Sequence, residues 1–267
     1  MTRLPARSLR AIGTLLVAAG MGLADRPPLP QPQKAPAEAP PVTIPMRQAE
    51  EDYRRGLQAA DGIGGPRDYV AAARYYRKAA ENGYLPAQYN LAFLYENGLG
   101  VKQDFAEAAA WYRKAAEQGD PESQNNLGVL YSTGQGVPRD EAEAVRLYRL
   151  AAQDDLEGLT NLASMYLQGR GVQRDTAQAF QLFAKAAGRG YAVAQNNLAL
   201  MYANGEAVKR DYIRAYAWLD IAAAEVPKAA QVRDALAREM TPAQLAQARQ
   251  LAIQKRKELA EKGGKTQ

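Results

Sequence analysis

Residues 104–138 read DFAEAAAWYRKAAEQGDPESQNNLGVLYSTGQGVP, and Asp140 begins the motif again. The pair Ala115–Ala116 inside it returns as Ala79–Ala80, Ala151–Ala152, Ala186–Ala187 and Ala222–Ala223, a step of 36 residues and once of 35. The segment NLGVLYSTGQGV (126–137) returns in register as NLAFLYENGLGV (90–101), NLASMYLQGRGV (161–172) and NLALMYANGEAV (197–208). A fixed period of this size predicts an all-α fold, an α/α superhelical solenoid of stacked helix-turn-helix repeats in which each unit contacts its neighbours.

Within a unit the spacing places a helix A (85–97, 121–133, 156–168, 192–204) and a helix B (104–118, 140–153, 175–188, 211–224). Helix A ends at Gly98, Gly134, Gly169 or Gly205, where a left-handed residue costs least without a Cβ. Helix B opens at Asp104, Asp140, Asp175 or Asp211, whose carboxylate can accept from free backbone N–H groups. Glu107, Glu143 and Gln178 follow three residues on and predict capping boxes. Ala72, Ala108, Ala144, Ala179 and Ala215 let helices approach, and the large residues at 111–112, 147–148, 182–183 and 218–219 fill between them as core. Asp154–Asp155 replace the glycine that ends other helices B, and adjacent carboxylates in such a turn are read as solvated.

Outward from the repeats the pattern changes. Residues 46–60 form a charged first helix, joined by the longer loop ADGIGGPR, as suits an N-terminal cap. At the other end, 228–239 predict a helix, and Thr241-Pro242-Ala243-Gln244 a capping box opening another that runs to about Glu261. These read as a C-terminal cap, with Lys255, Arg256 and Lys257 solvated. Residues 1–24 resemble a signal peptide: Arg3, Arg7 and Arg10, then an apolar run, then Gly22-Leu23-Ala24 as the cleavage site. Residues 25–45, with eight prolines, read as an extended linker. The organisation is therefore signal peptide 1–24, linker 25–45, solenoid 46–224 (a degenerate first unit and four regular ones) and cap and tail 225–267.

Composition narrows the chemistry. The chain has neither Cys nor His. Thiolate metal sites, disulfides, Cys nucleophiles and His bases are excluded. None of Ser8, Ser123, Ser132 and Ser164 begins S-x-x-K. Gly264-Lys265-Thr266 lacks the first phosphate-loop glycine, since Leu259 stands there, and Gly62-Ile63-Gly64-Gly65 is followed by Arg67 where a dinucleotide fingerprint needs glycine. No catalytic residue, metal or cofactor is expected. Loss of the three signal arginines lowers the formal charge from +5 to +2, which argues against a nucleic-acid partner.

The pattern N-L-G-x-x-Y-x-x-G-x-G-V-x-x-D, followed by A-x-x-W-Y-x-K-A-A-E-x-G, resembles the Sel-1-like repeats, relatives of tetratricopeptide repeats. It departs at Ala207, in place of the second loop glycine, and at Ala92, Ala163 and Ala199, in place of Gly128. The resemblance implies a right-handed superhelix that scaffolds protein–protein interactions, often in the bacterial envelope. By analogy with tetratricopeptide repeats, helix A lines a concave groove. The candidate partner-binding residues are then the recurring Asn90, Asn126, Asn161 and Asn197 with Tyr89, Phe93, Asn125, Val129, Thr160, Ser164, Asn196 and Leu200. The asparagines either satisfy backbone groups of the adjacent repeat or clamp an extended peptide backbone. Asn125 stands at a variable position, so its loss is expected to affect binding alone. The regular helices A hold no Lys or Arg, only Glu96, Glu122 and Glu157, which disfavours a carboxylate or phosphopeptide ligand. The expected function is an exported scaffold binding a protein or peptide of the envelope. It would be periplasmic or secreted, touching membrane only through an uncleaved N-terminus. The alternatives are a cell-wall-active enzyme or a structural spacer.

Overall fold

The computed structural model of the chain describes residues 44–263. The expected signal peptide (1–24), the linker (25–45) apart from Ile44 and Pro45, and Gly264-Lys265-Thr266 lie outside the described residues. Every regular element among those described is an α-helix, and they gather into two compact units that divide between Asp155 and Leu156.

The first unit holds α1 (Ile44–Asp61), α2 (Tyr69–Glu81), α3 (Leu85–Asn97), α4 (Phe105–Glu117), α5 (Pro121–Thr133) and α6 (Glu141–Ala151), each packed on the next. The second holds α7 (Leu156–Gln168), α8 (Thr176–Ala187), α9 (Ala192–Asn204), α10 (Tyr212–Ala222), α11 (Pro227–Arg238) and α12 (Pro242–Gly263). There α7 to α11 also pack in succession, and α12 lies on α10. The helices A keep the bounds their glycines set, whereas helices B begin one residue later than expected, because the aspartates stand outside them as caps.

Those caps are made by side-chain oxygens. Asp104 accepts from the N–H groups of Ala106 (2.9 Å) and Glu107 (3.1 Å), and Asp140, Asp175 and Asp211 accept likewise at the start of α6, α8 and α10. The reciprocal half of the expected capping box is not the bond that forms. The backbone N–H of Asp104 donates instead to the carbonyl of Tyr95 (2.9 Å), and that of Asp140 to Tyr131 (2.9 Å), so it ties helix B back to helix A. Glu143, freed of that role, holds Arg146 through two bonds of 2.8 and 2.7 Å. At Thr241 both halves of the box do form, Thr241 N to Gln244 Oε1 at 2.9 Å and Gln244 N to Thr241 Oγ1 at 3.3 Å.

The two loop glycines act differently. Gly98 and Gly134 end α3 and α5 with φ of 66° and 76°. Gly100 and Gly136 also hold positive φ, and a Cβ on either would stand 2.2 Å from a backbone carbonyl carbon, of Tyr69 and Phe105 respectively. Each loop therefore seats on the start of the preceding helix B, closer than any side chain permits.

The core is alanine against aromatic and leucine side chains, as the spacing predicts. Ala72, Ala108, Ala144, Ala179 and Ala215 are fully buried, and so, within 1%, are Tyr76, Tyr112 and Phe183. Burying each such ring contributes about 1.5–3 kcal/mol. Paired bonds cross-link successive helices: Arg77 reaches the Tyr95 hydroxyl, and one repeat on Arg113 reaches that of Tyr131 at 3.0 Å.

At the C-terminal end the expectation of a solvated basic tail is corrected. Arg256 of α12 binds the carboxylate of Asp220 (2.7 Å) and its carbonyl (2.9 Å), while Arg233 of α11 takes the other carboxylate oxygen at 3.0 Å. Lys255 Nζ lies 4.6 Å from the centre of the Trp218 ring. A carboxylate and a ring on α10 thus draw two of the three cations down onto the helix, and Lys257 remains exposed.

Candidate functional site

The helical period sets Tyr89 and Phe93 on one face of α3, four residues apart, and turns Asn90 inward. Asn90, 1% exposed, donates from Nδ2 to the Tyr53 hydroxyl of α1 at 3.4 Å. The Tyr53 ring packs against those of Tyr76 (5.6 Å between centres) and Tyr84 (5.2 Å). Its phenol is pushed up to about 12, by burial first and by the neighbouring Tyr84 second, while the Asn90 bond opposes the rise. Tyr89 repeats this arrangement one unit later. Burial raises its phenol, Glu122 adds to the rise, and the Asn126 amide bonded to the hydroxyl opposes it. Both phenols stay protonated at neutral pH. In this unit Asn90 and Asn126 meet a tyrosine hydroxyl of the preceding repeat, a side-chain partner that neither of the two readings of the row, backbone groups of the adjacent repeat or a bound peptide, had named.

The candidate residues divide by exposure. Asn90, Asn125, Asn126, Thr160 and Asn196 are buried. Asn125 is 2% exposed, so the expectation that its loss touches binding alone is corrected: a buried amide carries a structural cost. Thr160 Oγ1 donates to the Leu156 carbonyl (2.7 Å), and Asn196 Nδ2 to Asn197 Oδ1 (3.4 Å). In the first unit Tyr89, Phe93 and Val129 reach the surface; in the second, Asn161, Ser164, Asn197 and Leu200 do, with Ser164 Oγ donating to the Thr160 carbonyl at 3.0 Å.

The charge on these helices is one-signed. Glu96 is 8% exposed and accepts from the Tyr112 hydroxyl at 2.8 Å, whereas Glu122 is half-buried and Glu157 exposed. Among the described residues no group of three or more His, Cys, Asp or Glu could hold a metal ion, and no helix is long and apolar enough to cross a membrane.

A second polar row lies two residues before the asparagines. Gln88, Gln124 and Gln195 are buried, and each donates to the last turn of the preceding helix B, at the carbonyls of Ala80 (3.2 Å), Ala116 (3.3 Å) and Ala187 (3.3 Å). The signal was their recurrence two residues before the asparagine row, broken by Leu159. A buried amide that bridges repeats is as periodic as one that binds a ligand, so recurrence alone does not separate the two.

The Sel1 repeat family matches residues 53–84, 85–120, 121–156, 156–191 and 192–225. The chain belongs to the Sel1 repeat family. Sel1 repeats form scaffolds that generally mediate protein–protein interaction. Among solved structures, a protective antigen present in uropathogenic Escherichia coli strains, displaying this repeat fold, is 35% identical, with a TM-score of 0.75 over 80% of this chain. The match spans 46% of that antigen's length. A Sel1 repeat protein from Oxalobacter formigenes is 33% identical, with a TM-score of 0.63 over 67% of this chain and 74% of its own. No curated protein matches the sequence.

Proposed function

We propose that this Sel1 repeat protein is an exported, non-catalytic interaction module that binds a protein or peptide of the cell envelope through the half-exposed faces of its helices A. The observation that carries the reading is the layering of those helices. Tyr89, Phe93 and Val129 share their helices with buried amides, of which Asn90 and Asn126 are bonded across repeats. The surface side chains therefore stand on a fixed base, and a fixed face loses little conformational entropy when a partner docks. The signal-like residues 1–24 support export, and the similarity to a protein described as a protective antigen is in keeping with it.

Two measurements test the reading. The full chain is used to capture partners from envelope extract of its native host, beside Phe93→Ala and Arg146→Ala. A partner held by the helix A face is lost with Phe93→Ala and kept with Arg146→Ala, whose guanidinium lies on helix B, 59% exposed. The reverse pattern moves the interaction to helices B. N-terminal sequencing of the host protein should begin at Asp25, and a chain still starting at Met1 removes the periplasmic assignment.

A further inference from the structure

In the first unit some cations are neutralised by carboxylates and others are not. Arg54 meets Glu50, Arg139 meets Glu141, and Arg146 is held by Glu143. The cations of α2 and α4 are held by neutral groups instead. Arg77 donates to the Tyr95 hydroxyl, and Arg113 to that of Tyr131 at 3.0 Å. Arg74 Cζ lies 5.2 Å from the centre of the Tyr75 ring, and Lys114 Nζ 3.8 Å from that of Trp111. Lys78 is exposed, and it follows Arg77 as Lys114 follows Arg113. None of these five cations enters an ion pair among the described residues, and Glu81 and Glu117, a turn further on, pair with none of them.

We infer that Arg74, Arg77, Lys78, Arg113 and Lys114 form a strip that docks a short acidic peptide segment of a partner protein, on a surface separate from the helix A face proposed above. Helical spacing puts Arg74, Arg77 and Lys78 on one face of α2, and the repeat sets Arg113 and Lys114 at the same positions of α4. A phenol or an indole ring fixes a cation without cancelling its charge. Arg113 is exposed and gives Tyr131 one bond, so its guanidinium keeps donors in the fork that matches a carboxylate. A side chain already held in place also loses less rotamer freedom when the acid arrives.

The charge around the strip limits the size of the ligand. Residues 44–155 carry 13 Lys and Arg against 17 Asp and Glu, so the unit as a whole is negative. A broad anionic surface, such as a membrane or a nucleic acid, would meet those acids along with the strip and be repelled. A short acidic segment touches the strip alone.

The full chain is titrated into three twelve-residue peptides with the same label, repeats of Gly-Ser-Glu, Gly-Ser-Gln and Gly-Ser-Lys, and anisotropy is followed at low and physiological ionic strength. The glutamate peptide should bind about tenfold tighter than the glutamine one. The lysine peptide should bind least, and the glutamate advantage should shrink with salt. Lys78→Gln combined with Lys114→Gln, whose ammonium groups make no hydrogen bond among the described residues, should remove most of that advantage. Arg113→Gln should lower it too, with folding checked by circular dichroism. Arg146→Gln removes a cation that Glu143 already neutralises and should change nothing. A glutamate peptide that binds no tighter than the glutamine one overturns the inference. So does an advantage that the paired lysine substitutions leave intact, or that Arg146→Gln weakens as much as they do. A twelve-residue thymidine strand, or vesicles of phosphatidylserine and phosphatidylcholine in equal parts, binding more tightly than the glutamate peptide would hand the strip to another class of partner and overturn it as well.

Discussion

Ala207 is the one residue other than glycine, among those described, that holds a positive φ, 62°. It stands where Gly100 and Gly136 stand in earlier repeats, and a left-handed L-residue costs roughly 1–2 kcal/mol. Ala207→Gly should therefore stabilise the protein by about 1 kcal/mol, read as a rise in the urea midpoint; no rise would mean the loop relaxes the strain elsewhere. Asn125→Ala should have the opposite sign and cost about 1–3 kcal/mol whether or not a partner is present. Asp120 adds a pH dependence. Burial raises its carboxyl above the ordinary value, while its bonds to Ser123 oppose the rise. A folded value above the unfolded one means that the group's contribution is complete below the ordinary carboxylate range and is lost as pH rises through the raised value. Asn can still cap α5. Asp120→Asn should thus be more stable than the native protein at neutral pH, with the gap closing as pH falls into the acid range; a gap constant with pH refutes it. Such effects were hard to read from the sequence. The recurrence of asparagine is plain there, but what each amide meets lies 37 residues earlier, as Tyr53 is to Asn90 and Tyr89 to Asn126.

At the scale of the helix, α12 is held by a reversal of charge. Asp220 occupies the position that Arg77 and Arg113 hold in earlier repeats. Those arginines reach forward to a tyrosine of the next helix A, whereas Asp220 receives Arg233 from α11 and Arg256 from α12. Asp220→Ala should cost about 1–2 kcal/mol, the scale of partly exposed charge-assisted bonds, and should speed amide exchange across 242–263. Exchange there that matches the native protein would show that Ala248 and Ala252, both fully buried, hold the helix without it. Helix bounds were legible because a glycine and an aspartate punctuate each turn, and both act through local backbone geometry. The clamp on the basic segment was not, since its acceptor lies 36 residues away; the sign was an acid in a row otherwise begun by arginines.

For the whole molecule, the order of repeats and the fold class followed from periodicity, because in an array each unit is positioned by its neighbours. The binding face followed only in part, since exposure depends on how far each helix is rotated, and five of the twelve candidate residues prove to be buried. Deleting residues 228–267 should uncover Trp218 and Leu219, now 7% and 0% exposed, and lead to aggregation or a broadened melting transition. A truncated protein that elutes as a monomer with the same melting curve would show that this segment is not a cap. The joints at Gly100 and Gly136 reach further still. What each loop rests on is main chain, common to every sequence, so the fit does not depend on which side chains the preceding repeat carries. A duplicate of residues 104–139 spliced in after Arg139 would meet the same carbonyl that the original meets. Descendants of this gene can accordingly gain or shed a whole 36-residue block by unequal recombination, altering the reach of the protein without rewriting any joint.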